Sequence, residues 1–276
     1  MPFTPSHAVV ALPFTRTPLV PAAIAVGAMT PDLPLFVRAF PLHYGRTHAF
    51  EWLPVTVALA LILLLVWRCV LRPAVRELSP RWLAERLPGE WDRGAVAALR
   101  ETFGLGGDSP PGAGRASWGA MALLAVSLVI GVVSHIVWDL FTHDGRWGVT
   151  AIPALGDDWG PLPGYTWLQH GSTAIGLVII GVWLLVWLIR RRPEASFARA
   201  VPAWVRWTWW LSLPACLLMA WLWGLGAHGP LDEDFTVAHL AYRVLPPACA
   251  VWGAATAGLC VVVQARAARG VERRRR

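Results

Sequence analysis

The sequence contains no lysine; all 24 of its basic residues are arginine. Charge of either sign is scarce, at 15% of 276 residues, against about 25% in an ordinary soluble domain. With 56% hydrophobic residues and a mean hydropathy of +0.50, that shortage excludes a fully solvated surface and points to the bilayer. Cysteine is limited to Cys69, Cys216, Cys249 and Cys260, all inside apolar runs and without paired spacing. A disulfide framework and a thiolate zinc site are therefore both disfavoured, and the four read as small packing residues. Met1–Arg16 has no basic leading region of the secretory type. There is no Gly-x-Ser-x-Gly elbow, no glycine-rich phosphate loop and no pair of broken apolar helices of the transporter kind.

The net charge of +7 and pI near 10.2 superficially suit a nucleic-acid partner. The arginines gather beside apolar runs, however, so none is expected. Many of the 18 tryptophans lie near the ends of those runs, where interfacial aromatic belts form.

Five runs are long enough to cross a bilayer: Leu53 to Leu71, Trp118 to Phe141, Leu168 to Ile189, Trp207 to Ala227 and Val244 to Val263. Leu19 to Met29 is too short to cross by itself. The expected fold is an all-α, polytopic membrane bundle of five to six transmembrane helices, preceded by short re-entrant or interfacial helices. Residues 1–265 read as one membrane-embedded domain, with 72–117 as a loop carrying a candidate amphipathic helix around Pro80 to Phe103, and 266–276 as a basic tail. Arg72 to Arg115 holds seven arginines, Arg190 to Arg206 holds five, and the tail holds six. The intervening Thr142 to Trp167 has only Arg146, and His228 to His239 has none. The positive-inside rule then places the basic segments and the C-terminus on the cytoplasmic side of the membrane.

That alternation gathers chemistry at the opposite face. Asp32 sits between Pro31 and Pro34, and His48 precedes the first span. His135, Asp139 and His143 close the second span at successive steps of four, one above another on a helix, and His170 opens the third. His7 belongs with them if the N-terminal segment returns to that face. Ionisable groups at the mouth of a span are costly and mark a site. Histidine with carboxylate suits zinc or another first-row divalent ion such as manganese, and a carboxylate such as Asp139 or Asp32 can bridge two ions. Polar contacts between helices would explain the His135–Asp139 pair without metal. The acidic run Asp232-Glu233-Asp234 reads as a solvated loop.

Pro2-Phe3-Thr4-Pro5-Ser6-His7, Thr30-Pro31-Asp32, Thr47-His48, Ser134-His135-x3-Asp139-x3-His143 and Gln169-His170-Gly171-Ser172 together resemble an uncharacterised bacterial membrane family, domain of unknown function 4184, over nearly the whole chain. A weaker resemblance is to inner-membrane metal-dependent hydrolases. More remotely, the order of ligand types is similar to the zinc-dependent phospholipase C and single-strand nuclease superfamily. That likeness implies Asp32, His48, His135 and Asp139 at a first zinc site, Asp139 bridging to His7, and His143 and His170 on the remaining ion. Ala174 stands where that superfamily has a glutamate, so one or two ions are expected rather than three. The resulting expectation is a membrane-bound, metal-dependent hydrolase of phosphoesters or lipid headgroups, with Asp32, His135 and Asp139 catalytic. The alternatives are a non-catalytic membrane protein with a structural metal or polar cluster, and a transporter or metal-handling channel. Spans four and five lack the mid-membrane ionisable groups a transporter would need.

Overall fold

The computed structural model describes residues 4–38, 43–105, 117–193 and 199–275, the last six of these by backbone alone. Pro2 and Phe3 of the opening motif, Arg115 of the basic loop and Arg276 of the tail lie outside the described residues. The described chain is helical throughout, without named strands, so the all-α bundle is as expected. Among the described residues, five helices are long and apolar enough to cross a membrane. After a short helix α1 (Pro21–Met29) they are α2 (Phe50–Leu78), α3 (Trp118–Thr142), α4 (Gly164–Arg190), α5 (Ala203–His228) and α6 (Val237–Arg275). Each contains one apolar run read from the sequence. The N-terminal elements, a 3-10 helix over Thr4–Phe14 and α1, are too short to cross.

The helices outrun the hydropathy pattern where polar side chains find partners. α2 passes through a π-helical turn at Val66–Leu71, which leaves carbonyls without their usual i+4 partners. The Gln264 amide donates to two of them, Cys69 O at 3.2 Å and Val70 O at 2.9 Å. The helix then continues to Leu78 because buried Glu77 is satisfied: its carboxylate accepts the Val201 N–H at 3.0 Å. The stretch expected to hold one amphipathic helix instead breaks into Arg81–Ala84, Gly89–Arg93 and Gly94–Thr102. Pro88 and Gly94, the latter at φ 81°, interrupt it, since proline lacks the helical N–H and a positive φ is outside the helical range.

The described residues cluster into two compact units. One comprises Met1–Leu33, Leu42–Leu65 and Leu99–Arg191; the other Pro34–Pro41, Val66–Ala98 and Arg192–Arg276. In the first, α1 lies against α3 at glycine contacts. A Cβ added to Gly27 would stand 2.7 Å from the Leu128 carbonyl oxygen, and one on Gly131 would stand 2.9 Å from the Gly27 Cα. Among apolar lipid tails no hydrophobic force presses helices together, so such close backbone packing supplies the attraction. Ala23, Ile24 and Ala28 of α1 are completely buried beside Val132 of α3. The 3-10 helix meets α4 in the same manner, with the Ser6 carbonyl 3.1 Å from where a Gly176 Cβ would be. The second unit has its own core of Ala74, Leu78, Val201, Cys260 and Val263.

Candidate metal centre

The predicted ligands reach the first unit on several local devices. The 3-10 helix presents His7, and a single 3-10 turn, Thr30–Asp32, follows α1 and carries Asp32. A one-turn helix, Tyr44–Thr47, ends at His48. α3 supplies His135 and Asp139 one turn apart in its last two turns. All five side chains are buried.

The imidazoles are fixed by their backs. His48 Nδ1–H donates to the Tyr44 carbonyl at 2.9 Å, and His135 Nδ1–H donates to the Ala28 carbonyl at 2.7 Å. Carbonyls only accept, so in the neutral rings both Nε2 atoms carry lone pairs. Those two atoms face each other at 3.1 Å. Two lone pairs repel at that distance unless a cation, either a proton or a metal ion, is shared between them.

Two carboxylates complete the set. Asp32 Oδ1 lies 3.7 Å from each Nε2, and Asp139 Oδ2 lies 3.3 Å from that of His48 and 3.6 Å from that of His135. Among His48 Nε2, His135 Nε2 and Asp139 Oδ2, which form one candidate ligand group, the separations of 3.1, 3.3 and 3.6 Å bracket the edge of about 3.4 Å expected around a tetrahedral ion with ligands at about 2.0–2.1 Å. The donor set is two imidazoles, each anchored to a carbonyl through Nδ1, with two carboxylates: the pattern of metal-ligating histidines and their supporting hydrogen bonds. Thr4 Oγ1 donates to Asp32 Oδ2 at 2.7 Å, and the Tyr44 hydroxyl donates to Asp139 Oδ2 at 3.3 Å. The Thr4 hydroxyl is thereby committed to Asp32.

His7 stacks on His135, with ring centroids 4.0 Å apart. It forms a second group with Asp32 and His135 whose ligand atoms lie within 4.8 Å of one another. His7 Nε2 and Asp139 Oδ1 are both buried without a hydrogen-bond partner among the described residues. Orphaned buried polar atoms are costly, and a cation is one way to satisfy them. Burial, reinforced by the neighbouring His135, pushes the His7 pKa down to about 3, so its ring is neutral at ordinary pH. Burial also raises the Asp32 carboxyl, against the opposing pull of His135 and the Thr4 hydroxyl. Holding Asp32 ionised thus costs energy that a bound cation would return.

His143 and His170 are placed differently from the other five. α3 ends at Thr142, and His143 has extended backbone, yet its ring folds back on Asp139. Its Nδ1 lies 3.3 Å from the Asp139 carbonyl oxygen and 3.5 Å from Oδ2. Its side chain is 21% exposed, and burial lowers its pKa. The Gln169 amide meets His143 Nε2 at 3.3 Å. Gln169 is the buried residue of α4 that reaches the cluster; its neighbour His170 is exposed. The sequence reading passed over Tyr44 and Gln169. Tyr44 stands four residues before His48, a helical step that was available as a signal; Gln169 is distinguishable from His170 only once the phase of α4 is known.

The profile of a family described as "Domain of unknown function (DUF4184)" matches residues 1–263. No curated protein and no solved structure matches the chain.

Proposed function

The chain belongs to the DUF4184 family, and from that premise we propose that it is a membrane-bound, metal-dependent hydrolase acting on phosphoesters or lipid headgroups. Its metal, zinc or another divalent ion such as manganese, is held by His48, His135, Asp32 and Asp139. The observation that carries this reading is the pair of carbonyl-anchored imidazoles facing one another at 3.1 Å between two carboxylates. Asp139 Oδ1 and His7 Nε2 are the atoms a second ion would use.

A divalent ion in such a site supplies Lewis acidity and lowers the pKa of a water toward about 7. The protein's own groups do the rest. Burial of the carboxylates keeps bulk water from screening their charge. Tyr44 and Thr4 hold Asp139 and Asp32 in place through one oxygen each. His143 lies between the buried set and solvent; a proton on its Nε2 is stabilised when the Gln169 amide turns its oxygen toward the ring, which suits a proton carrier for a leaving group. The alternation of arginine-rich and arginine-poor segments supports an outer-face position for this end of α3.

The test is elemental analysis of detergent-purified protein, wild type beside His135→Ala and Asp139→Ala, followed by phosphoester and phospholipid substrates. One or two ions per chain, lost in both variants and required for hydrolysis, is the expected result. A wild type that takes up no metal when zinc is supplied would overturn it. The non-catalytic reading is favoured by one feature: the same polar contacts tie the short N-terminal elements to α3, as interhelical hydrogen bonds do in membranes. Retained metal without hydrolysis would select it.

A further inference from the structure

The second unit contains a groove of about 560 Å³ between α5 and α6. Its wall runs from Trp204 to Cys216 on α5 and from Val251 to Arg266 on α6. At about 1.5 Å per residue these stretches are roughly 18 and 22 Å long. One leaflet of a bilayer is about 15 Å of hydrocarbon deep, so the groove runs the depth of a single leaflet along two membrane-crossing helices.

The indole N–H groups of its two central tryptophans are already spoken for. Trp209 and Trp252 stack with centroids 5.5 Å apart. The Trp209 indole N–H donates to Thr256 Oγ1 at 3.1 Å, and that of Trp252 donates to Ser212 Oγ at 2.9 Å. Those internal bonds leave indole faces and aliphatic carbons as the wall, suited to a hydrocarbon chain and ill suited to a sugar or a peptide backbone. At one end the character changes. Arg266 lines the groove and is exposed, with Arg269 three residues on along the same helix face. Arg206 donates to the carbonyl of Val201, another lining residue, at 2.8 Å. Glu77, 3.8 Å from Arg206, offsets part of that charge, and among the described residues nothing acidic lines the groove itself.

We infer that this groove binds one acyl chain of an anionic phospholipid, with the headgroup held at the arginine end by Arg266. An apolar trough one leaflet deep selects a lipid chain, and the positive charge at its mouth selects an anionic headgroup over a zwitterionic one. The site is independent of the metal centre in the other unit.

The test uses the full chain in mixed vesicles of phosphatidylcholine and phosphatidylglycerol, with retained lipid counted by native mass spectrometry after mild extraction. Wild type retains phosphatidylglycerol preferentially. Arg266→Gln, a change at an exposed side chain, reduces that preference by about fivefold, the effect of one arginine near a headgroup. Ala255→Trp fills the groove and abolishes retention of both lipids; Val262→Trp does the same should Ala255→Trp fail to fold. Metal content stays at the wild-type level in each variant. Equal retention of the two lipids by wild type overturns the inference, as does undiminished retention by the groove-filling variants. It is also overturned if wild type elutes as a dimer that Ala255→Trp dissociates, because the groove would then be covered by a second copy of the chain.

Discussion

Substituting Gly27 by alanine adds one methyl group 2.7 Å from the Leu128 carbonyl oxygen and 3.2 Å from the Gly131 Cα. Both neighbours are backbone atoms of α3, so neither can rotate away. Ordinary contact begins near 3.4 Å, and α1 must therefore recede from α3 by about 0.7 Å at that point. Ala28 is the next residue, and its carbonyl accepts from His135 Nδ1 at 2.7 Å. Transmitted along α1, the displacement lengthens that bond to about 3.4 Å, beyond the usual range for N–H···O bonds. The His135 ring then loses the contact that fixes its tautomer and direction. Removing such a support costs about 10–100-fold in metal affinity, and the overpacking costs about 1–3 kcal/mol of stability. Zinc affinity measured by competition with a chromophoric chelator reads the first effect, and thermal unfolding the second. Gly171→Ala, beside His170 on α4 with nothing within 4 Å of its new methyl, is the control and retains full affinity. Should Gly27→Ala bind zinc within about twofold of wild type, the Ala28 carbonyl is not what orients His135.

Three further outcomes follow from the same geometry. His48→Ala abolishes metal binding while His170→Ala leaves it within about twofold, because His48 belongs to the buried group with His135 and Asp139 whereas His170 is exposed; equal losses in chelator competition would contradict that division. In the metal-free protein His7 stays neutral to about pH 3, whereas an unfolded histidine takes up its proton near 6.5. The unfolded chain therefore binds more protons between those values, and stability falls as pH drops through that window. Unfolding midpoints against pH show a shallower acid decline for His7→Gln than for wild type, and coincident slopes would remove His7 from the account. Raised Asp32 acts in the opposite sense: without metal, stability is lost as pH rises from 3.8 through its folded value. Finally, stripping the metal speeds amide hydrogen exchange in Thr4–Phe14, α1 and Tyr44–Thr47, which the cluster ties to α3, and leaves α5 and α6 unchanged. Uniform acceleration in all helices would argue against a local tie.

The five spans were legible because a bilayer requires about twenty apolar residues in each, and no other demand writes that pattern. Their ends were less so. Leu71 looks like an exit because Arg72, Arg76 and Glu77 follow it, yet all three are buried; Glu77 is satisfied by Val201 N–H, more than a hundred residues away. The candidate ligands His135 and Asp139 stood out because ionisable groups at the end of a span are costly and mark a site. His143 was placed by extending the same four-residue step, but the helix stops at Thr142, and the ring returns to Asp139 by a bend that spacing does not encode. Gln169 and His170 differ by about 100° around α4, and sequence order alone does not say which one faces inward.

The N-terminal segment was the least legible part, and the geometry accounts for that. Thr4–Phe14 and α1 have almost no amphipathic asymmetry, since one side meets apolar helices and the other need not be polar in a membrane. Their positions are instead set by point contacts: Gly27 on α3, Ser6 on Gly176, and Thr4 on Asp32. Such contacts are written as single residues, so no window average detects them. Three of the five clustered side chains, His7, Asp32 and His48, nevertheless arrive on this part of the chain. Buried polar groups can be carried by elements so short only if those elements are held by something stronger than their own packing. His135 holds α1 through Ala28, His48 faces His135, and Asp32 is tied back to Thr4. The cluster and the packing of 4–33 and 43–48 are therefore coupled, so that loss of any of these side chains also loosens the segments that deliver the others.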